Sequence, residues 1–187
     1  MAVILKKKWK GLIMKFEHPP LKEGNVHLRT KGLASPRGAK FGMTRTNTDG
    51  SPRPHQGVDL AIENGYRAYA VVDAKVIRAD NSSASYGGVV ILESDKLFDY
   101  VDRNGNPVRG KKLFPMYAHL STIKVTVGQK VKAGDVVALT GSTGNASSMK
   151  DVAHGAHLHF EVRTKADAGL GLGFRVDPLN FFNLTEA

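Results

Sequence analysis

From about residue 55 the apolar positions fall in short β-branched runs bounded by Gly, Asn and Asp, the mark of strands rather than helices. "YRAYAVVDAKVIRAD" (66–80) and "GGVVILES" (87–94) are β-branched runs of this kind. "MYAHLSTIKV" (116–125) is again extended, and "VTVGQKVKAGDVVALTGSTG" (125–144) reads as two brief strands broken by Gly128, Gly134, Gly141 and Gly144. "DRNGNPVRGKK" (102–112) carries Asn104–Gly105, a tight-turn dipeptide, and is expected to form an exposed hairpin tip. The tail "FRVDPLNFF" closes the domain with Pro178 and a small aromatic cluster. No 3.6-residue period persists beyond about two turns, and there is no internal repeat. The pattern predicts an all-β or β-dominated chain.

Residues 1–40 break the pattern. They hold many of the lysines, the pair Pro19–Pro20 and little periodicity, so a loosely structured basic N-terminal arm is expected over 1–40, ahead of one domain over 41–187. The 187 residues suffice for one domain with a real core. No apolar stretch approaches the roughly 20 residues of a membrane span. Lys6, Lys7, Lys8, Lys10 and Lys15 interrupt the opening "MAVILKKKWKGLIMKF", and no small-residue cleavage site follows, so no signal peptide is read there. The absence of cysteine excludes disulfides and thiolate metal sites, leaving His and carboxylates as the metal ligands available. A net charge of +10 favours polyanionic partners: nucleic acid, anionic membrane or bacterial cell wall.

The chemistry sits in the histidines. In "HLHFEV" (157–162), a strand puts His157, His159 and Glu161 on one face and Leu158, Phe160 and Val162 on the other. Two imidazoles within about 7 Å on one strand face suit a metal or catalytic role as well as they suit two surface histidines. "PHQGVDLA" places His55 and Asp59 on either side of Gly57, which lets the backbone fold tightly between them, although a turn-forming Asp beside a loop His reads the same way. "MYAHLS" adds His119 in a strand-like run. His154 is given no direct role, and His18 and His27 are expected in solvent. "GSTG" (141–144) lacks the Lys-Ser/Thr of a phosphate loop and is expected to form a substrate-facing turn. A His-Glu-x-x-His helix motif and a Pro-Cys-x-x-Cys motif are both missing, which removes the helix-based zinc proteases and the zinc deaminases.

Taken together, "HQGVD", "YAHLS", "VTVGQKVKAGDVVALTGSTG" and "HLHFEV" resemble, in order and rough spacing, the lysostaphin/LytM-type zinc metallopeptidases. The resemblance runs from about residue 41 to Pro178. It implies an antiparallel β fold with a central groove, and one Zn²⁺ per chain held by His55, Asp59 and His159. His119 and His157 are then the catalytic pair beside the metal, one of them acting mainly as base. The implied activity is endopeptidase cleavage of peptidoglycan stem or cross-bridge peptides by a monomer, with no nucleic-acid partner and no membrane span. The alternative is a catalytically silent wall-binding or amidase-activating homologue. Action in the cell-wall or periplasmic compartment, without a signal peptide, implies delivery by phage lysis, a virion or a secretion system. Two segments depart from the family pattern: the twelve residues "NASSMKDVAHGA" between "GSTG" and "HLHF", and the long hairpin around "DYVDRNGNPVRGKKLF".

Overall fold

The computed structural model describes residues 13–22 and 26–185. Among the described residues fourteen strands follow one another: β1 Gly42–Thr46, β2 Pro52–His55, β3 Val58–Ala61, β4 Arg67–Tyr69, β5 Ala74–Ser83, β6 Gly87–Ser94 and β7 Phe98–Val101, then β8 Pro107–Lys111, β9 Phe114–Leu120, β10 Thr122–Ile123, β11 Lys130–Val131, β12 Val136–Leu139, β13 His157–Arg163 and β14 Arg175–Val176. The only helical turns among the described residues are short 3₁₀ pieces such as Pro36–Ala39 and Val152–His154. None is long and apolar enough to cross a membrane.

The main sheet runs β11-β5-β6-β9-β13, all antiparallel. Beyond β13 the next position is shared: β3 pairs with its first half and β14 with its end. A second sheet, β10-β12-β4, packs its apolar residues into the same core. Leu158, Phe160 and Val162 enter that core, as the alternation requires. The opposite face of β13 is buried too, which a half-exposed strand pattern does not foresee.

Three differences from the sequence reading have plain causes. The run 66–80 is two strands, because β4 pairs with β12 in the second sheet while β5 pairs with β6 in the first, and the fully buried Ala70, Val71 and Val72 make the crossing. The described part of the lead-in forms no strand of its own, yet its backbone is bonded to the domain at several points, Phe16 N–H to the Phe181 carbonyl and Arg29 N–H to the Asp59 carbonyl among them, and Phe16, Leu21 and Val26 are buried in the core, with Phe16 stacked on Phe181 at 4.9 Å. Apolar burial and a single antiparallel bridge, Leu28 to Leu60, hold it down together; the lysine-rich start, residues 1–12, lies outside the described residues. His18 and His27 are half-buried rather than solvated, His18 leaning on the Tyr69 ring at 5.1 Å. The β7–β8 hairpin does turn at Asn104–Gly105, with Gly105 at φ +88° and the Asp102 carboxylate accepting the Asn104 and Asn106 N–H groups.

One buried hydroxyl ties the layers together. Tyr117 in β9 is fully buried; its OH donates to the Tyr69 carbonyl (2.8 Å) and accepts from Val71 N–H (3.1 Å) at the crossing between the sheets. Tyr117→Phe strands both groups without water and is expected to cost about 1–3 kcal/mol. Urea unfolding should show it as a lower midpoint at unchanged slope.

Candidate metal centre

The middle of β13 organises the site. In the antiparallel register His159 stands directly opposite Asp59 on β3, and opposed residues share a sheet face. His55 ends β2, and Gly57 carries the chain from it into β3. A Cβ on Gly57 would lie 2.3 Å from the Phe160 carbonyl oxygen, so glycine is required there for close approach to β13. That contact brings the His55 end of β2 over His159.

Three ligand atoms converge. His55 Nε2 and His159 Nδ1 are each 3.0 Å from Asp59 Oδ1 and 3.2 Å from one another. The far side of each ring is already committed. His55 Nδ1 faces the Lys40 carbonyl at 3.0 Å, which can only accept, so Nδ1 carries the hydrogen and Nε2 points inward as a lone pair. His159 Nε2 donates to Glu161 Oε1 at 3.1 Å. A tetrahedral ion with bonds of about 2.0 Å has ligand atoms about 3.3 Å apart, close to the sides of this triangle. The residues present therefore fit Zn²⁺ with two imidazoles and one carboxylate.

The charge state agrees. Burial would raise the Asp59 carboxyl, but His157, His159 and His55 hold it well below the ordinary carboxylate range. Burial likewise opposes charge on His159, yet hydrogen bonds to Asp59 and Glu161 lift it to about 9. This is a place built for positive charge, and metal binding would displace the proton on Nδ1.

His119 and His157 flank the triangle. His157 Nδ1 donates to the Gly155 carbonyl at 2.8 Å, and its Nε2 lies 3.6 Å from Asp59 Oδ1. His119 Nδ1 donates to the Thr143 carbonyl at 2.9 Å, in the "GSTG" turn. In both rings Nε2 is left as a lone pair on the site side, and the rings are 5.1 Å apart. Burial first, with neighbouring positive charge, lowers His119 to about 3 and His157 to about 4.

Strict alternation would not have put His119 here. Ala118, not His119, is opposite His159. The register between β6 and β9 slips between Gly88 and Val90, a bulge, and His119 adopts φ +60°, which a side-chain-bearing residue takes at a cost of about 1–3 kcal/mol. The turn swings its imidazole onto the site face, held by the Thr143 bond and by its own N–H to the Tyr86 carbonyl (2.8 Å). His154 stays exposed on Asp151, away from the triangle.

Several participants carry no sequence signal of their own. Glu161 is fully buried and accepts from His159, Tyr86 OH (2.8 Å), Arg163 Nε (2.7 Å) and Arg175 Nε (2.8 Å). Behind Asp59, its Oδ2 takes Arg45 Nη2 at 2.5 Å and Arg29 Nη1 at 3.4 Å. Arg29 comes from the lead-in and is buried. Only the placement of Glu161 on the His157–His159 face was visible beforehand. All five histidine and aspartate positions open into one groove of about 820 Å³, between the β1–β2 hairpin and the loops around Tyr86, Asn145 and Leu170.

The sequence model of peptidase family M23 matches residues 53–169, a stretch that holds all five of these residues. The chain belongs to peptidase family M23. Its antiparallel β architecture is that of the lysostaphin/LytM-type members, as the motifs implied. Murein hydrolase activator NlpD of Salmonella dublin is 31% identical over 140 residues, covering 75% of this chain and 29% of that protein. The chain thus spans less than a third of that relative's length. A zinc-containing peptidase from Vibrio cholerae has the same fold at a TM-score of 0.62 and 25% identity, over 89% of this chain and 40% of that one. The catalytic domain of the prophage-encoded M23 protein EnpA from Enterococcus faecalis gives 0.55 over 90% of this chain and 95% of that one; at 24% identity it speaks for the fold alone.

Proposed function

We propose that this M23 protein is a zinc-dependent endopeptidase that hydrolyses stem or cross-bridge peptides of peptidoglycan, acting in the cell-wall compartment. The observation that carries the reading is the division of labour among the imidazoles. His55 Nε2 and His159 Nδ1 point into the Asp59 triangle, while His119 and His157 keep a lone pair free beside it, each of these two rings fixed by a backbone carbonyl.

His55, Asp59 and His159 would hold Zn²⁺, which when bound acidifies water and polarises a peptide carbonyl. The remaining chemistry belongs to the chain. A neutral imidazole at His119 or His157 accepts a proton at Nε2 from the attacking water, and the other donates from Nε2 to the oxyanion or the departing amine once it is protonated. The Thr143 and Gly155 carbonyls stabilise the charge that develops on each ring through its Nδ1–H. The peptide lies in the groove, where Asn145 and Met149 of the longer 145–156 loop line the wall and are free to set specificity.

Mass spectrometry of soluble fragments from purified sacculi tests this. Wild-type protein is expected to release fragments with new amino termini, and a chelated sample none; the masses name the bond. Relatives named murein hydrolase activators support a second reading, in which the chain stimulates another hydrolase. Sacculi that stay intact with the protein alone, but dissolve faster when an amidase is also present, would replace the first reading by the second.

A further inference from the structure

One wall of the groove breaks a local rule. In the β1–β2 hairpin, Arg45 and Arg53 stand directly opposite each other, and like charges in opposed cross-strand positions repel. Both line the groove. Arg45 is anchored: Nε donates to the Gly38 carbonyl at 2.8 Å and Nη2 to Asp59 Oδ2, which leaves Nη1 over. Arg53 is exposed, and no protein group pairs with it among the described residues. With Arg29 also against Asp59, two guanidiniums already share that one carboxylate, and Arg53 adds a third positive charge to the wall with no carboxylate of its own. Arg45 has its return in Gly38 and Asp59, but Arg53, exposed on the second strand of a two-stranded sheet, has none. A rule broken beside a site with nothing gained in packing points to a ligand.

We propose that Arg45 and Arg53 together receive a free carboxylate of the bound peptide, close to the bond that is cut. The fork of Arg53 and the spare Nη1 of Arg45 suit a carboxylate, and its charge removes the repulsion between them. Because Arg45 also grips Asp59, the carboxylate is registered against the metal triangle itself. The favoured substrate is then a peptide cross-linked through a diamino acid that keeps its carboxylate, in preference to one whose carboxylate is amidated. The inference rests on the peptide-hydrolase reading of the groove and names its substrate class.

Two cross-linked stem peptides that differ only in carboxylate against carboxamide at that diamino acid form the test, with cleavage rate and calorimetric binding measured for each. Wild type should favour the carboxylate form by about tenfold in both readouts. Arg53→Gln should bring the ratio close to one at unchanged zinc content and melting temperature, and Arg53→Lys should restore part of it. Arg109→Gln, which removes an exposed arginine from the β7–β8 hairpin outside the groove, should leave the ratio intact. A wild-type ratio of one, a ratio that survives Arg53→Gln, or binding of neither peptide overturns the carboxylate site. Selective binding that Arg53→Gln abolishes, with no cleavage of either peptide, upholds the carboxylate site and removes the peptidase reading instead.

Discussion

His119→Ala is expected to keep one zinc per chain and lose about 10²–10⁴ of the hydrolytic rate, the span that a positioned acid or base contributes. The side chain touches none of the three converging ligand atoms, and its bond is to the Thr143 carbonyl. His159→Ala should behave differently, losing the metal and the rate together, because it removes one corner of the triangle and leaves Asp59 facing His55 alone. Elemental analysis after dialysis, alongside amine release from sacculi, separates the two. The assignment of roles fails if His119→Ala is emptied of zinc as readily as His159→Ala. Alanine at 119 also relieves little of the backbone strain at φ +60°, so the variant should fold with unchanged stability or a small loss.

Glu161 carries the largest expected effect on folding. Its carboxylate is held well below the ordinary range: burial opposes ionisation, but His159, Arg163 and Arg175 outweigh it. Glu161→Ala leaves two buried guanidiniums without their anion, a defect of about 3–5 kcal/mol. For a chain of this length that lowers the melting temperature by about 10 °C. Glu161→Gln is the gentler probe. It keeps an acceptor near His159 Nε2 but removes the charge that raises the basicity of the ring, so zinc affinity should fall about 10–100-fold even where the protein stays folded. Zinc titration against a competing chelator reads the affinity, and thermal melting of the metal-free protein reads the stability. A glutamate with a purely structural role would move only the second.

The extent to which the fold could be read in advance follows from the range of the forces involved. β6, β13 and the β7–β8 turn are local: a β-branched apolar run, the alternation of 157–162 and an Asn-Gly dipeptide specify them over a few residues. The break between β4 and β5 is not, because each half is claimed by a partner elsewhere in the chain, β12 at 136–139 and β6 at 87–94. Likewise, nothing in the polar, proline-containing lead-in announces that Phe16 stacks on Phe181, a contact made 165 residues later in the sequence (181 − 16).

The same division runs through the site. The amino-acid order set which side chains are available: no thiolates, two histidines on one strand face, and a His and an Asp bracketing a glycine. It also carried the M23 motifs, and with them the β fold. How these parts meet depends on the folded sheet. The register of β3 against β13 sets Asp59 opposite His159, and a bulge with one left-handed residue turns His119 to the site against its own alternation. Glu161, Arg29 and Arg45 each have neighbours in sequence among their partners, but their places at the site depend on distant ones as well: Arg175 and Tyr86 for Glu161, and Asp59 for both arginines. Periodicity is a property of a few consecutive residues and is written in them. Register, bulges and buried ion pairs belong to pairs of segments, and they exist only once the sheet has closed.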